Sequence, residues 1–220
     1  MMRVVVMISG SGSNLAALIA AQQTGELEAE IVAVVCDQPK AGGITRALHA
    51  RIPTLCVPLL KGAACEPWAL LLANLLAVFA PDVVLMAGWM RIMPAVFVER
   101  FAPNLLNQHP ALLPDDAGDT YTLRDGRPIP AIRGAHAVAD ALRLAVPVTG
   151  CTVHRVTPLV DIGPVLARIE VPILPNDSAE SLHERIKITE RRMIVTVINQ
   201  LARDRGSGIG DQESEIGKSA

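Results

Sequence analysis

Two side chains that could act together on a carbonyl group, Asn107 and His109, flank Gln108 in the stretch LLNQHPALLP. In an extended segment alternate side chains leave the same face, so the amide and the imidazole would lie side by side. The leucines before them are typical of the end of a buried strand, and Pro110 disfavours a helix through His109. Open α/β sheets bind their ligands at such strand ends. An amide donor beside a proton-transferring group suits addition to a carbonyl and collapse of the adduct. The alternative interpretation is a strand end with two hydrogen-bonded polar residues.

A glycine-rich segment, GSGSN at residues 10–14, follows the apolar run Arg3–Ile8 and precedes a helix-forming stretch. Backbone amides at a strand-to-helix turn can approach an anion, and the helix dipole adds to the attraction. The segment therefore favours a phosphate site over the alternative of a tight turn without a ligand. It also comes near a dinucleotide fingerprint, with Asp37 placed for a ribose hydroxyl, but Leu15 stands where the third glycine belongs.

A carboxylate that could serve His109 is Asp161, in the segment between two late strands. If the sheet brings this loop over the histidine, the carboxylate favours the imidazolium and raises the histidine pKa. The sequence around Asp161, which precedes Ile-Gly-Pro, is by itself also typical of a simple turn.

Other candidates carry weaker signals. Lys187 and Glu190 are three residues apart on the last predicted helix and share a face, for which a surface ion pair is the default interpretation. His154 stands in a predicted strand and His136 near a helix start, and each could support a catalytic side chain or be structural. Two histidines on predicted helices are expected to be solvated: His49 and His183.

The elements that must position these residues alternate between strand-like and helix-like segments up to Gln108. This pattern predicts an α/β fold with a doubly wound, mostly parallel sheet. Val148–Thr157 and Pro164–Ile173 have no helix between them, so we expect two antiparallel strands, followed by a long helix at Ser178–Asp204. The intervening segment Asp115–Ile132 is polar and lacks periodicity, which predicts a long functional or mobile loop.

The composition limits the class of protein. Of 220 residues, 50% are hydrophobic, and 20 Lys and Arg balance 22 Asp and Glu, so no basic footprint for nucleic acid is present. No apolar run is long enough to span a bilayer, and the N-terminus lacks a signal-peptide pattern, which favours a cytoplasmic protein. The four cysteines have no paired spacing and are expected to be reduced and buried. We expect one domain over residues 1–204 and a disordered tail over residues 205–220.

Four motifs, in this order and spacing, resemble those of the phosphoribosylglycinamide formyltransferase family: ISGSGSNL, APDVVLMAGWMRIM, LLNQHPALLP and VTGCTVHRVTPLVDIGPVLAR. The resemblance runs from Arg3 to about Arg203, and LHERIKITERR is similar to the actinobacterial branch. Members of this family transfer a formyl group from 10-formyltetrahydrofolate to the amine of 5-phosphoribosylglycinamide in purine synthesis, without a metal ion. The resemblance implies a Rossmann-like formyltransferase fold and the same reaction here.

The resemblance also implies a role for each candidate residue. The implied catalytic residues are Asn107, His109 and Asp161. The implied contacts with the ribonucleotide come from Gly12, Ser13, Asn14, Lys187 and Glu190. The implied folate contacts come from Met90, Arg91, Ile92, Met93, Asn107, Val156 and Asp161. Two histidines are expected to contact the catalytic side chains without touching the substrates: His136 and His154.

Three positions depart from the family pattern. Cys65 stands where the family often has a folate-contacting Arg, and Ala111 replaces a frequent Ser. The segment Asp115–Ile132 is longer than its family counterpart by more than a dozen residues. It could cover the site, bind a partner or be disordered.

Competing functions remain open at this stage. Formyltetrahydrofolate deformylase shares the catalytic trio but would add an N-terminal regulatory domain, and methionyl-tRNA formyltransferase would add a basic tRNA-binding domain. A non-catalytic nucleotide- or folate-binding module is disfavoured by the intact trio, and a nicotinamide-dependent dehydrogenase by Leu15. The expected partners are therefore small-molecule substrates, without nucleic acid or membrane. The oligomeric state is left open, with a homodimer as one candidate.

Overall fold

The computed structural model describes residues 1–207. The strands are β1 (Met2–Ile8), β2 (Ala29–Cys36), β3 (Thr54–Cys56), β4 (Val83–Met86), β5 (Leu105–His109), β6 (Thr120–Thr122), β7 (Pro128–Pro130), β8 (Val148–Arg155) and β9 (Val165–Pro172). The helices are α1 (Ser13–Thr24), α2 (Gly42–His49), α3 (Cys65–Ala77), α4 (Ala95–Phe101), α5 (Ala137–Arg143) and α6 (Ala179–Gly206).

Seven strands form one sheet in the order β3-β2-β1-β4-β5-β8-β9. The first five are parallel, whereas β8 runs antiparallel to β5 and β9 antiparallel to β8. This confirms the predicted doubly wound, mostly parallel sheet with an antiparallel end and a long final helix. The order changes direction between β1 and β4, and ligands of open α/β sheets bind at such a switch point.

The central strand β1 is buried on both faces, as its continuous apolar sequence predicts. Val4, Val6 and Ile8 pack with leucines of α1 and α6 on one face of the sheet. Val5 and Met7 pack with apolar residues of α3 and α4 on the other face. The helices therefore cover both faces of the sheet and leave its carboxyl edge open for a site.

The segment Asp115–Ile132 is not the structureless loop that its composition predicts. It contains a two-stranded antiparallel hairpin in which Tyr121 pairs with Ile129. Leu123 donates its backbone N–H to the Arg127 carbonyl at 2.9 Å, which closes a turn around Asp125-Gly126. The strands are too short to show periodicity, but the Asp-Gly pair is a hairpin signal that could have revealed them. The apolar side of the hairpin joins a small core with Ala111 and Leu112.

Two other expectations need correction. Cys36 and Cys151 are buried free thiols, but Cys56 is exposed because it lies on the edge strand β3, and Cys65 is exposed at the start of α3. The last helix continues to Gly206, so residues 205 and 206 are helical and not part of a tail, and the rest of the predicted tail, residues 208–220, lies outside the described residues.

Within residues 1–207, no group of three or more His, Cys, Asp and Glu side chains could hold a metal ion. None of the helices in the same range combines the length and apolar character needed to cross a bilayer.

Candidate functional site

A cleft of about 780 Å³ opens at the carboxyl ends of β1, β4 and β5. Its walls include the glycine segment after β1, residues 86–93 after β4, the end of β5 and the first turns of α6. The cleft therefore lies at the switch point of the sheet, and nearly all of the predicted site residues line it.

The sheet brings the three predicted catalytic residues into contact. Asn107 and His109 leave the same face at the end of β5, and Asp161 approaches them from the segment between β8 and β9. Nδ1 of His109 lies 3.4 Å from Oδ2 of Asp161. Nδ2 of Asn107 lies 3.5 Å from Oδ1 of the same carboxylate. The predicted grouping of amide, imidazole and carboxylate is thus present, with contacts at the long end of hydrogen-bond distance.

The ionisation of His109 differs from the expectation. Its side chain is 5% exposed, and Nε2 lies 2.8 Å from the carbonyl oxygen of Ile132. Burial lowers the pKa of His109, although the Asp161 carboxylate and the Ile132 carbonyl act in the opposite direction. The expected effect of the carboxylate is present, but burial, which the sequence does not show, outweighs it. Burial thus favours the neutral imidazole before substrates bind.

Asp161 is held as a carboxylate. Burial opposes its ionisation, but the His154 side chain, the nearby His109 and the backbone N–H of Gly134 together lower the pKa of Asp161 to about 2. Gly134 donates to Oδ2 at 2.8 Å. Asp161 also has a φ of 54°, a left-handed conformation that is uncommon for a residue with a side chain. Strain of this kind is typical of functional positions.

The two supporting histidines differ in position. His154 is buried, and its Nε2 lies 3.2 Å from Nδ2 of Asn107 and 3.5 Å from Oδ1 of Asp161. It therefore contacts two members of the trio from β8. His136 is exposed at the start of α5 and lines the cleft without a hydrogen bond to the trio.

The glycine segment folds as predicted into a turn between β1 and α1. Gly12 has a φ of 69°, and a Cβ at this position would lie 2.7 Å from the Cα of Gly43. Only glycine fits this close approach of two backbones. Ser13 begins α1 and Asn14 follows it, so backbone amides at the helix N-terminus face the cleft.

A buried polar network joins this turn to α6. Nδ2 of Asn14 donates to Gln108 at 3.1 Å and to Glu190 at 3.2 Å. Burial raises the pKa of Glu190. Its carboxyl oxygens suit a hydroxyl-rich ligand. Sequence reasoning missed Gln108 as a site residue, although alternation along β5 directs it to the face opposite Asn107, where α1 and α6 pack.

The predicted surface ion pair on α6 is wrong. Glu190 is 4% exposed and faces the cleft, whereas Lys187 pairs with Glu184 at 2.7 Å and also lines the cleft. His183, expected to be solvated, is half-buried in the cleft wall. Because the first turns of α6 lie over the sheet edge, polar residues there point into the site.

The proposed folate contacts form another wall of the cleft, which Val156 completes from the end of β8. Met90 is 65% exposed and Ile92 is 71% exposed, whereas Met93 is buried. Arg91 donates to the buried Asp37 carboxylate at 2.6 Å, and its guanidinium lies 5.8 Å from the Trp68 ring centre.

Two further expectations concern this wall. Asp37 is bound to Arg91 and does not line the cleft, which removes the ribose role considered for it. Cys65, which stands at the usual arginine position, does not line the cleft either.

Comparisons with known proteins match this arrangement. The formyl transferase family profile matches residues 2–198. Phosphoribosylglycinamide formyltransferase of Mycobacterium tuberculosis (strain ATCC 25618 / H37Rv) is 41% identical over 201 residues, which are 91% of this chain and 85% of the relative. The protein of the same name from Escherichia coli (strain K12) is 34% identical over 201 residues, 91% of this chain and 87% of the relative. The crystal structure of glycinamide ribonucleotide transformylase 1 from Symbiobacterium toebii has a TM-score of 0.83 at 33% identity, covering 93% of this chain and 89% of that one. The chain therefore belongs to the formyl transferase family and, within it, to the phosphoribosylglycinamide formyltransferases.

Proposed function

We propose that this chain transfers the formyl group of 10-formyltetrahydrofolate to the amine of 5-phosphoribosylglycinamide, with Asn107, His109 and Asp161 at the reacting carbon. The observation that carries the proposal is their mutual contact within one cleft, which also reaches a glycine turn suited to phosphate. Family membership supplies the reaction, and the geometry supports these residues as its machinery.

The ribonucleotide would lie against α1 and α6. The turn of Gly12, Ser13 and Asn14 offers backbone amides to the phosphate, and Lys187 can add a positive charge. Glu190, buried at the cleft floor, can accept hydrogen bonds from ribose hydroxyls. This orientation directs the amine toward the end of β5.

The folate would lie on the opposite wall. The exposed apolar side chains of Met90 and Ile92, with Val156 and the partly covered Met93, suit the flat pterin ring and the aromatic portion beyond it. Arg91 adds a cation on this wall. The formyl carbon then lies between the two substrates, beside the trio.

The chemistry follows from the ionisation states of the trio. The substrate amine attacks the formyl carbon, a new C–N bond forms and the carbonyl oxygen gains negative charge. One amide hydrogen of Asn107 can stabilise this oxygen, a contribution worth roughly 10²–10³ in rate for such donors. A proton passes from the attacking nitrogen, through His109 or a water beside it, to the folate nitrogen as the bond between the formyl carbon and that nitrogen breaks. The Asp161 carboxylate stabilises the transient imidazolium.

We also propose that residues 1–204 act as a single domain, that the partners are these two small molecules rather than nucleic acid or membrane, and that the protein works in the cytoplasm. Both walls of the cleft come from one sheet and its helices, which supports the single domain. The free thiols of Cys36 and Cys56, paired in register on neighbouring strands, suit a reducing compartment.

The test mixes the protein with glycinamide ribonucleotide and 10-formyl-5,8-dideazafolate and follows the absorbance of the deformylated product. Absorbance change that requires the ribonucleotide supports the proposal. Release of formate without the ribonucleotide would instead indicate a deformylase-like hydrolase. No change under either condition would indicate a non-catalytic binding module.

A further inference from the structure

Ile132, which ends the Asp115–Ile132 segment, and the two residues that follow it together contact His109 and Asp161. The Ile132 carbonyl lies 2.8 Å from Nε2 of His109. Nε of Arg133 donates to the backbone carbonyl of Asp161 at 3.3 Å, and the backbone N–H of Gly134 donates to its carboxylate at 2.8 Å. This short stretch therefore touches the imidazole, the carboxylate and the backbone that carries the carboxylate.

The guanidinium of Arg133 also contacts residues near the start of the Asp115–Ile132 segment. Nη2 donates to the carbonyls of Ala117 at 3.0 Å and Gly118 at 2.6 Å. Nη1 lies 3.5 Å from the carboxylate of Asp119, and the arginine side chain is only 20% exposed. The hairpin β6–β7 lies between these two points, so one side chain closes the base of the hairpin and joins it to the Asp161 backbone.

Asp161 needs such restraint because its left-handed φ of 54° is strained for a residue with a side chain. A strained backbone persists when its surroundings fix it on several sides. The hydrogen bonds from Arg133 and Gly134 do this from outside the loop that contains Asp161.

We infer that Arg133 is a positioning residue for formyl transfer, and that the hairpin segment is a structural support that holds Asp161 against His109. This inference rests on the proposed function for its kinetic consequences, but the placement of the two side chains can be tested without it. Arg133 would touch no substrate.

The positive charge of Arg133 also acts on the pKa of His109, which gives a second measurement. The titratable and charged groups that act on His109 are Asp161, His154 and Arg133 itself. Of these, the Arg133 cation opposes protonation of His109 and lowers its pKa. The Asp161 carboxylate acts in the opposite direction, so its displacement from His109 would lower that pKa, and Arg133→Lys, which keeps the cation, isolates this effect.

The experiment compares Arg133→Met, Arg133→Lys and the control Arg127→Met, whose arginine lies at the hairpin tip and pairs with Asp125. Steady-state kinetics give kcat and both KM values. NMR titration of labelled histidine gives the His109 pKa without any substrate. Thermal unfolding shows whether each variant is folded.

For Arg133→Met we expect kcat to fall by about 10- to 100-fold, as expected for a small displacement of a reacting group, with both KM values within about twofold. Arg133→Lys keeps the charge but not the forked contacts, so kcat should fall less, and the His109 pKa should fall below the wild-type value because Asp161 moves away from the imidazole. Arg127→Met should match the wild type throughout.

The inference is overturned if Arg133→Met is folded and keeps the wild-type kcat. If Arg133→Met does not fold, Arg133→Lys decides the question, because a wild-type kcat there would show that the forked contacts are unnecessary. A lowered His109 pKa in Arg133→Lys, together with a wild-type protein that transfers no formyl group, would instead reject the proposed function and leave the positioning role standing.

Discussion

The carboxylate of Asp161 lies 3.4 Å from Nδ1 of His109, although the two residues are far apart in the sequence. His109 ends a parallel strand, and Asp161 lies in the connection between two antiparallel strands. β8 runs antiparallel to β5, with Thr152 opposite His109 and Arg155 opposite Leu106, so the connection that follows β8 must fold back toward the end of β5 for Asp161 to reach His109. Strand pairing and this folded-back connection together assemble the proposed catalytic pair.

Replacing Asp161 with Asn should lower kcat by about 10²–10⁴-fold, the range typical of general acid–base catalysis, with little change in either KM. The Asp161 charge raises the His109 pKa against burial, so its loss should lower that pKa further. Neutral His109 is the active form, so activity falls as pH drops through its pKa. The acid limb of the pH–rate profile should therefore move to lower pH.

Asp161 itself should not produce the acid limb, because its pKa of about 2 keeps it ionised across the assay range. Asp140→Asn, at a partly exposed position of α5 where the carboxylate pairs with Arg143, is a matched control. An Asp161→Asn variant with an unshifted acid limb would contradict the assigned interaction.

Replacing Gly12 with Ala should destabilise the protein and raise the KM for the ribonucleotide. The new Cβ would lie 2.7 Å from the Cα of Gly43, and the φ of 69° disfavours any side chain. Strain at such a position costs about 1–3 kcal/mol, measured as the loss in the free energy of unfolding in urea.

Gly25→Ala separates the two effects, because Gly25 has a φ of 77° but no atom of residues 1–207 within 4 Å of its Cβ position. We expect it to lose less stability than Gly12→Ala and to bind the ribonucleotide normally. Equal losses in both variants would mean that the contact with Gly43 contributes nothing.

Replacing Glu190 with Gln should weaken binding of the ribonucleotide while stabilising the free protein. The carboxylate is proposed to accept hydrogen bonds from the ribose, and loss of a charged acceptor typically raises KM by about 10- to 100-fold. Burial raises the pKa of Glu190 above its ordinary value of 4.5, so the ionised form destabilises the fold at neutral pH.

The sign of this stability difference can be checked by thermal unfolding at several pH values. Since the folded pKa is raised, the cost of ionisation is absent below pH 4.5 and develops as pH rises through the folded pKa. The melting temperature of Glu190→Gln should therefore exceed that of the wild type at neutral pH but not in acid. Glu184→Gln, at an exposed site, should not show this gain.

Replacing Asp37 with Asn should raise the KM for the folate and leave the KM for the ribonucleotide unchanged. Asp37 is buried and holds Arg91 at 2.6 Å, so its charge fixes the direction of the arginine on the folate wall. A loss of 1–2 kcal/mol corresponds to roughly 5- to 30-fold in KM. Steady-state kinetics with each substrate varied in turn provides the measurement, and equal changes in both KM values would contradict the assignment.

Much of the fold follows from local sequence patterns. The continuous apolar run of β1 predicts a strand buried on both faces, and the missing helix between β8 and β9 predicts their antiparallel pairing. The period of two along β5 predicts that Asn107 and His109 share a face. The hairpin at Thr120–Pro130 was not predicted, because its strands are only three residues each.

The electrostatics of the site depend on contacts that no local pattern contains. Sequence spacing suggested Asp161 as a partner of His109, but the burial that lowers the histidine pKa arises from the whole wall around it. Gln108 was missed because its partners, Asn14 and Glu190, come from opposite ends of the chain. Such long-range contacts become visible only when the sheet order is known.

The most direct test of the central claim follows a radioactive formyl carbon from labelled 10-formyltetrahydrofolate in a single turnover with excess enzyme. The wild-type protein should place the label on the amine of glycinamide ribonucleotide, and His109→Ala should slow this transfer by at least about 100-fold. Label recovered as formate, or an unchanged rate of transfer in His109→Ala, would contradict the account.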